Sequence, residues 1–191
     1  MNKAQQLRKL RDVCLNCRKC VVGGKRLFDG SLSNVFSNMC MKARIMVVGQ
    51  NPGEQEVRQG FPFVGPSGKF FDEAIDKVLG VDRSCFYICN TIRCHTPGNR
   101  HPYADEIENC RYLLEGEIKV IKPVVVVTLG AFALKQITGL TGISKRHGQD
   151  LVSIRYGVRV VPMFHPSPLN MNSSVRCQMF YSDLEALRKF L

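Results

Sequence analysis

Four short runs of β-branched and aromatic residues, RIMVV (44–48), FYIC (86–89), VVVVTL (124–129) and VRVVPMF (158–164), constrain this chain more than any other feature. Each is continuously apolar rather than alternating, the pattern of strands covered on both faces of a parallel sheet. Helical periodicity fills the intervals. In GKFFDEAIDKVLG (68–80), Phe71, Ile75 and Val78 share a face and Gly80 stands where a helix would end. YADEIENCRYLLEGEIKVI (103–121) aligns Ile107, Cys110, Leu114 and Ile118 or Ile121, and Pro123 stops it. Shorter helices are expected at 2–13, 131–138 and 175–190. Alternation of this kind predicts an α/β fold: a three-layer α/β/α sandwich with a central, mainly parallel four-stranded sheet. At 191 residues the chain is expected to form one domain over 1–191.

Charge and cysteine usage narrow the function. With 27 Lys and Arg against 16 Asp and Glu, the net charge of +11 favours a polyanionic partner, unless the basic surface is unspecialised. No apolar run nears the roughly 20 residues that span a bilayer, so no membrane partner is expected. The polar start MNKAQQLRKLRD is not a secretory signal, which makes the cytoplasm the expected compartment. Nine cysteines, an odd number, argue against a disulfide framework and leave metal binding or burial. Cys17 and Cys20 form a C-x2-C pair, as do Cys14 and Cys17, while fifteen residues separate Cys94 from Cys110. Four thiolates suit zinc or an iron–sulfur cluster. Cys85 and Cys89 flank an apolar strand and read as core.

In open parallel sheets ligands bind beyond the carboxyl ends of the strands. Three unusual segments follow such ends: GQNPGEQE (49–56), NTIRCHTPGNRHP (90–102) and HPSPLN (165–170). The stretch from Gly49 to Phe71 reads as a long loop, and it carries Phe61, Phe63 and Val64, which suit a planar ligand better than solvent. Asn90 ends its strand with an amide that can both donate to and accept from an imide edge, or simply closes a turn. His165 either is a satisfied structural histidine or donates where negative charge develops, with Ser167 beside it to hold a phosphate.

Taken together, these segments resemble the uracil-DNA glycosylase superfamily, most closely its iron–sulfur family 4, over roughly residues 14–190. PFVGPSG is similar to that family's PFVG-x-AG stretch, CHTPGNRHP to its C-x-PP-x-NR-x-P segment, and HPSPLN to its HPS motif. The resemblance implies a DNA repair enzyme, a monofunctional hydrolase that flips uracil from DNA and leaves an abasic site. It implies a [4Fe–4S] cluster on Cys17, Cys20, Cys94 and Cys110, with Cys14 in reserve, pinning the N-terminal segment. Phe63 would stack on uracil, Asn90 would bind its polar edge, and His165 would face O2. Glu56 and Gly49 would shape the pocket. Lys145, Arg146 and His147 of GISKRHGQ would contact phosphates, unless that turn is merely solvated. Leu169 or Met171 would wedge into the duplex. The partner would be uracil-containing DNA, as a U·G mismatch or single-stranded, met by a monomer at the nucleoid.

The first motif departs from the family. Family 4 reads G-E-A-P-G where this chain has Gly49-Gln50-Asn51-Pro52-Gly53. GQN is similar to the GQD of family 1, with Asn51 in place of the water-activating Asp, and mismatch-specific relatives carry Asn-Pro-Gly here. An amide is no strong general base near neutral pH, so Gln50 and Asn51 are expected to hold and orient water while the bond breaks dissociatively. The alternative is a member that binds uracil-containing or abasic DNA without turnover, or captures it covalently through His147.

Overall fold

The computed structural model describes residues 1–23 and 33–191. Its sheet runs β2-β1-β3-β5-β4, built from β1 (Ile45–Gly49), β2 (Phe86–Asn90), β3 (Val125–Leu129), β4 (Leu151–Ser153) and β5 (Val158–Met163). The four expected strands are parallel neighbours, with Gly49 paired to Asn90 and Thr128 to Pro162. The sheet has five strands rather than four. The fifth, β4, is an antiparallel edge strand that pairs Leu151 with Val160 and Ser153 with Val158. It is only three residues long and leaves Val152 exposed, so it carries no apolar run to be read.

Alternate side chains of the parallel strands enter two separate cores, as the period of two requires. Ile45, Val47, Phe86, Ile88, Val125 and Val127 meet Phe71 and Ile75 of α3 (Pro66–Leu79) and Phe180 and Leu184 of α8 (Ser174–Glu185). On the opposite face Met46, Val48, Tyr87 and Val126 meet Leu7 of α1 (Lys3–Leu15), Leu114 and Ile118 of α4 (Ala104–Ile121), and Ile137 of α5 (Gly130–Thr138). This is the expected sandwich. The long loop read between Gly49 and Phe71 is partly helical: α2 (Glu54–Gln59) forms two turns, and α3 starts at Pro66. Two four-residue helices, α6 (Ile143–Arg146) and α7 (Pro168–Met171), complete the order. Among the described residues no helix is long and apolar enough to cross a membrane.

A buried ion pair sits on the α4 face. The guanidinium of Arg93 contacts the carboxylate of Glu117, both essentially inaccessible, and donates to the Phe36 carbonyl at 2.8 Å. Tyr87 donates to Glu117 Oε1 at 2.7 Å and receives a bond from Ser37 at 2.9 Å. Burial pushes the Glu117 carboxyl upward, opposed by Arg93, while Arg93 stays protonated beside it. Removing one partner of such a pair typically costs about 3–5 kcal/mol, because the other charge is left buried alone.

Candidate active site

The register places the carboxyl ends of β1, β2, β3 and β5 along one rim. A cavity of about 660 Å³ opens there. Gln50, Asn51 and Glu56 line it from the β1 side, Asn90 and Asn99 from the β2 side, and His165 and Ser167 from beyond β5. Phe63 closes it from the connection between α2 and α3.

Gly49 forms a wall that tolerates no side chain. A Cβ there would stand 2.5 Å from Asn90 Oδ1 and 2.7 Å from the Phe63 ring. Phe63 itself adopts φ 54°, the left-handed region that a bulky residue seldom enters. Such a conformation typically costs about 1–3 kcal/mol and persists only where the surroundings enforce it. Here Arg83 binds the Phe63 carbonyl, while Glu56 accepts from Val64 N at 2.9 Å, Gly65 N at 2.7 Å and Gly53 N at 3.0 Å. One carboxylate therefore joins the aromatic wall to the first-motif turn.

Backbone hydrogen bonds extend the β1–β2 pairing past the sheet. Thr91 donates to the Gly49 carbonyl through N at 2.9 Å and Oγ1 at 2.8 Å, and Ile92 N donates to the Gln50 carbonyl at 2.9 Å. Within the turn, Gln50 Nε2 donates to Asn51 Oδ1 at 2.9 Å, and Asn51 Nδ2 donates to the Pro52 carbonyl at 3.0 Å.

His165 arrives from β5. Gly130, at φ 88°, lets it come close: a Cβ at that position would lie 3.1 Å from His165 Cβ. The imidazole stands 6.0 Å from the Phe63 ring, and Asn170 Nδ2 holds the His165 carbonyl at 2.9 Å. Burial lowers its pKa to about 4, against a smaller upward pull from Glu56, so the ring is neutral near pH 7. A neutral imidazole can donate a hydrogen bond to a developing anion without carrying charge of its own.

The remaining expected residues divide. Lys145 is exposed, while Arg146 donates to the Thr141 carbonyl at 2.9 Å. His147 turns inward: its Nδ1 lies 2.9 Å from Asp183 Oδ2, and its ring packs 4.8 Å from Phe164. Leu169 stands 83% exposed on α7, close after His165.

Five cysteines form one cluster away from the cavity. Cys14, Cys94 and Cys110 are buried and Cys17 and Cys20 partly so. Burial pushes the Cys14 thiol up to about 12 and that of Cys94 higher, and around Cys94 the charges of Cys110, Cys14, Cys20 and Cys17 add to the effect. Mutual repulsion of this kind is relieved when cationic metal binds the thiolates. Among the described residues no three metal-binding side chains close on a single ion. The donor set, thiolates alone, suits either an iron–sulfur cluster or zinc. Cys89 lies in the core on the α4 face, as read, and Cys85 packs, partly buried, against the core on the α3 face.

Two residues had no assigned role in the sequence reading. Asn99, at φ 54°, lines the cavity, and its only signal was a place in the GNR triplet. His95 is buried with Nδ1 3.0 Å from the Pro52 carbonyl.

Comparison with known proteins supplies a separate line of evidence on the family. The sequence profile described as the uracil DNA glycosylase superfamily matches residues 36–188. A Type-4 uracil-DNA glycosylase of Sulfurisphaera tokodaii is 33% identical over 191 aligned residues, covering 96% of this chain and 84% of the relative. Proteins of the same description from Thermotoga maritima and Archaeoglobus fulgidus are 36% and 35% identical. Those alignments cover 79% of each chain in the first case, and 91% of this chain and 87% of the relative in the second.

Proposed function

The chain belongs to the uracil DNA glycosylase superfamily, and we propose that it excises uracil from DNA by hydrolysing the N-glycosidic bond, opening base excision repair at the abasic site it leaves. The observation that carries this reading is the convergence of Phe63, Asn90 and His165 on one cavity walled by Gly49.

Each group has a physical task. The nucleotide must leave the helix, at a cost of a few kcal/mol that is least at a mismatch or in a single strand. Phe63 offers a ring face to the planar base, and the Asn90 amide pairs with its imide edge through one donor and one acceptor. Gly49 leaves depth for the ring. As the bond breaks, charge gathers on uracil O2, where neutral His165 donates. Losing one well-placed donor of this type costs roughly 2.7–4 kcal/mol of barrier. The sugar is left oxocarbenium-like, and water completes the reaction. Asn51, with Gln50 behind it, orients that water through the free lone pair of Oδ1 but does not deprotonate it. Ser167, Lys145 and Arg146 meet phosphates, and Leu169 fills the gap left by the flipped nucleotide.

Cys94 and Cys110, with two of Cys14, Cys17 and Cys20, would hold a [4Fe–4S] cluster. Bound there, the cluster supplies a covalent tether that ties α1 to the Cys94 segment and α4. The enzyme is proposed to act as a monomer.

The test is single-turnover incubation with end-labelled oligonucleotides carrying one uracil opposite G, opposite A, or in a single strand, followed by hot alkali. Cleavage at uracil supports the glycosylase. A second reading draws on the amide pair, since neither Gln50 nor Asn51 supplies the carboxylate found in relatives of family 1. It predicts tight binding to uracil-containing DNA with no alkali-labile product.

A further inference from the structure

The carbonyl oxygen of Pro52 accepts two hydrogen bonds at 3.0 Å, one from Asn51 Nδ2 and one from His95 Nδ1. A carbonyl cannot donate, so the His95 ring carries a proton on Nδ1. The same peptide plane is held at its other end, where Gly53 N donates to Glu56 Oε2 at 3.0 Å. Clamped at both O and N–H, the Pro52–Gly53 peptide cannot rotate, and the Asn51 amide bonded to that oxygen inherits the orientation.

His95 directly follows Cys94, and its segment is fastened on the far side. His95 N donates to the Ser33 carbonyl at 2.8 Å, and Val35 N donates to the Arg93 carbonyl at 2.7 Å. Asn34 in turn donates to the Cys14 carbonyl at 2.7 Å. A continuous set of bonds therefore runs from the cysteine cluster through His95 and Pro52 to Asn51.

We propose that His95 is a positioning residue that couples the cysteine cluster to the orientation of the Asn51 amide. The proposal rests on the function proposed above, in which Asn51 orients water. In this account the cysteine cluster is mechanically linked to the reaction, although it touches no substrate.

The test compares His95→Phe, which keeps a ring but no donor, with His95→Gln, which restores an amide donor. Three quantities are read on the purified full chain: iron with visible absorption, hydrogen exchange of a peptide covering 49–57, and single-turnover uracil release. Both variants should keep their iron. His95→Phe should exchange about tenfold faster in that peptide and release uracil about tenfold more slowly, the worth of one hydrogen bond, with His95→Gln recovering much of both. Combined with Asn51→Ala, His95→Phe should add no further loss, because the two act as one unit. Unchanged exchange in an iron-replete His95→Phe would overturn the proposal, as would multiplicative losses in the double variant or loss of iron in both variants. If the wild-type chain releases no uracil, the proposed function fails, while exchange still decides the role of His95.

Discussion

Gln50 Nε2 donates to Asn51 Oδ1 at 2.9 Å, which binds the two amides of the first motif into a single unit and leaves Asn51 Oδ1 a second lone pair for another donor. If that lone pair holds the attacking water, Asn51→Ala should slow single-turnover excision about tenfold, as expected for one hydrogen bond. Asn51→Asp keeps the acceptor and adds charge. It should be faster than the wild type at neutral pH and lose that advantage as acid protonates the new carboxylate. A pH–rate profile of the three proteins checks this, and an Asn51→Ala protein as fast as the wild type would remove the water-orienting role.

Two separable effects are expected of His165. His165→Ala should slow excision by a factor of hundreds, corresponding to roughly 2.7–4 kcal/mol. The folded-state pKa is lowered to about 4 from 6.5, so the unfolded chain binds more protons between these values. The stability held by the neutral ring is therefore complete above about pH 6.5 and declines as pH falls toward 4. Urea titrations at pH 7 and pH 5 should show the wild type losing more stability than His165→Ala. Parallel losses would place the titration elsewhere.

Leu169 is exposed without DNA, so its truncation should leave folding intact. Leu169→Ala should weaken excision from a U·A duplex by about tenfold or more, since it bears on base extrusion, and barely change excision from a single strand. Equal losses on both substrates would mean that Leu169 is not a wedge.

The cysteines give a prediction independent of catalysis. Cys94→Ser and Cys110→Ser should abolish iron binding, read by iron analysis and visible absorption. Cys14 is fully buried, whereas Cys20 is only partly buried. Cys14→Ser should therefore lose more iron than Cys20→Ser. The reverse order would restore Cys17 with Cys20 as the N-terminal pair.

Residues that obey periodic burial could be read from sequence, and those that break it could not. The runs around Ile45, Phe86, Val125 and Val160 had no other economical reading, and Phe71 and Ile75 lie inward as their spacing demanded. Edge strand β4 escaped because three residues with an exposed centre carry no pattern. Helix α2 escaped because its polar sequence needs Glu56 to knot two backbone segments before it makes sense. Arg93 and Glu117 look like surface residues until each is seen to bury the other. In the cavity, Asn90 and His165 were legible because each stands at or just past a strand end, and Phe63 because a long connection has little ordinary use for an aromatic ring. His95 and Asn99 were not, because their importance arises only from what the fold sets beside them.

The place of Gly49 has an evolutionary consequence. Every other amino acid adds at least one atom where Asn90 and Phe63 already meet, so any mutation at 49 makes the pocket shallower and none makes it deeper. Base range can be narrowed at this position in one mutational step. Any widening has to come from another residue of the lining, so position 49 can only turn this chain into a narrower specialist.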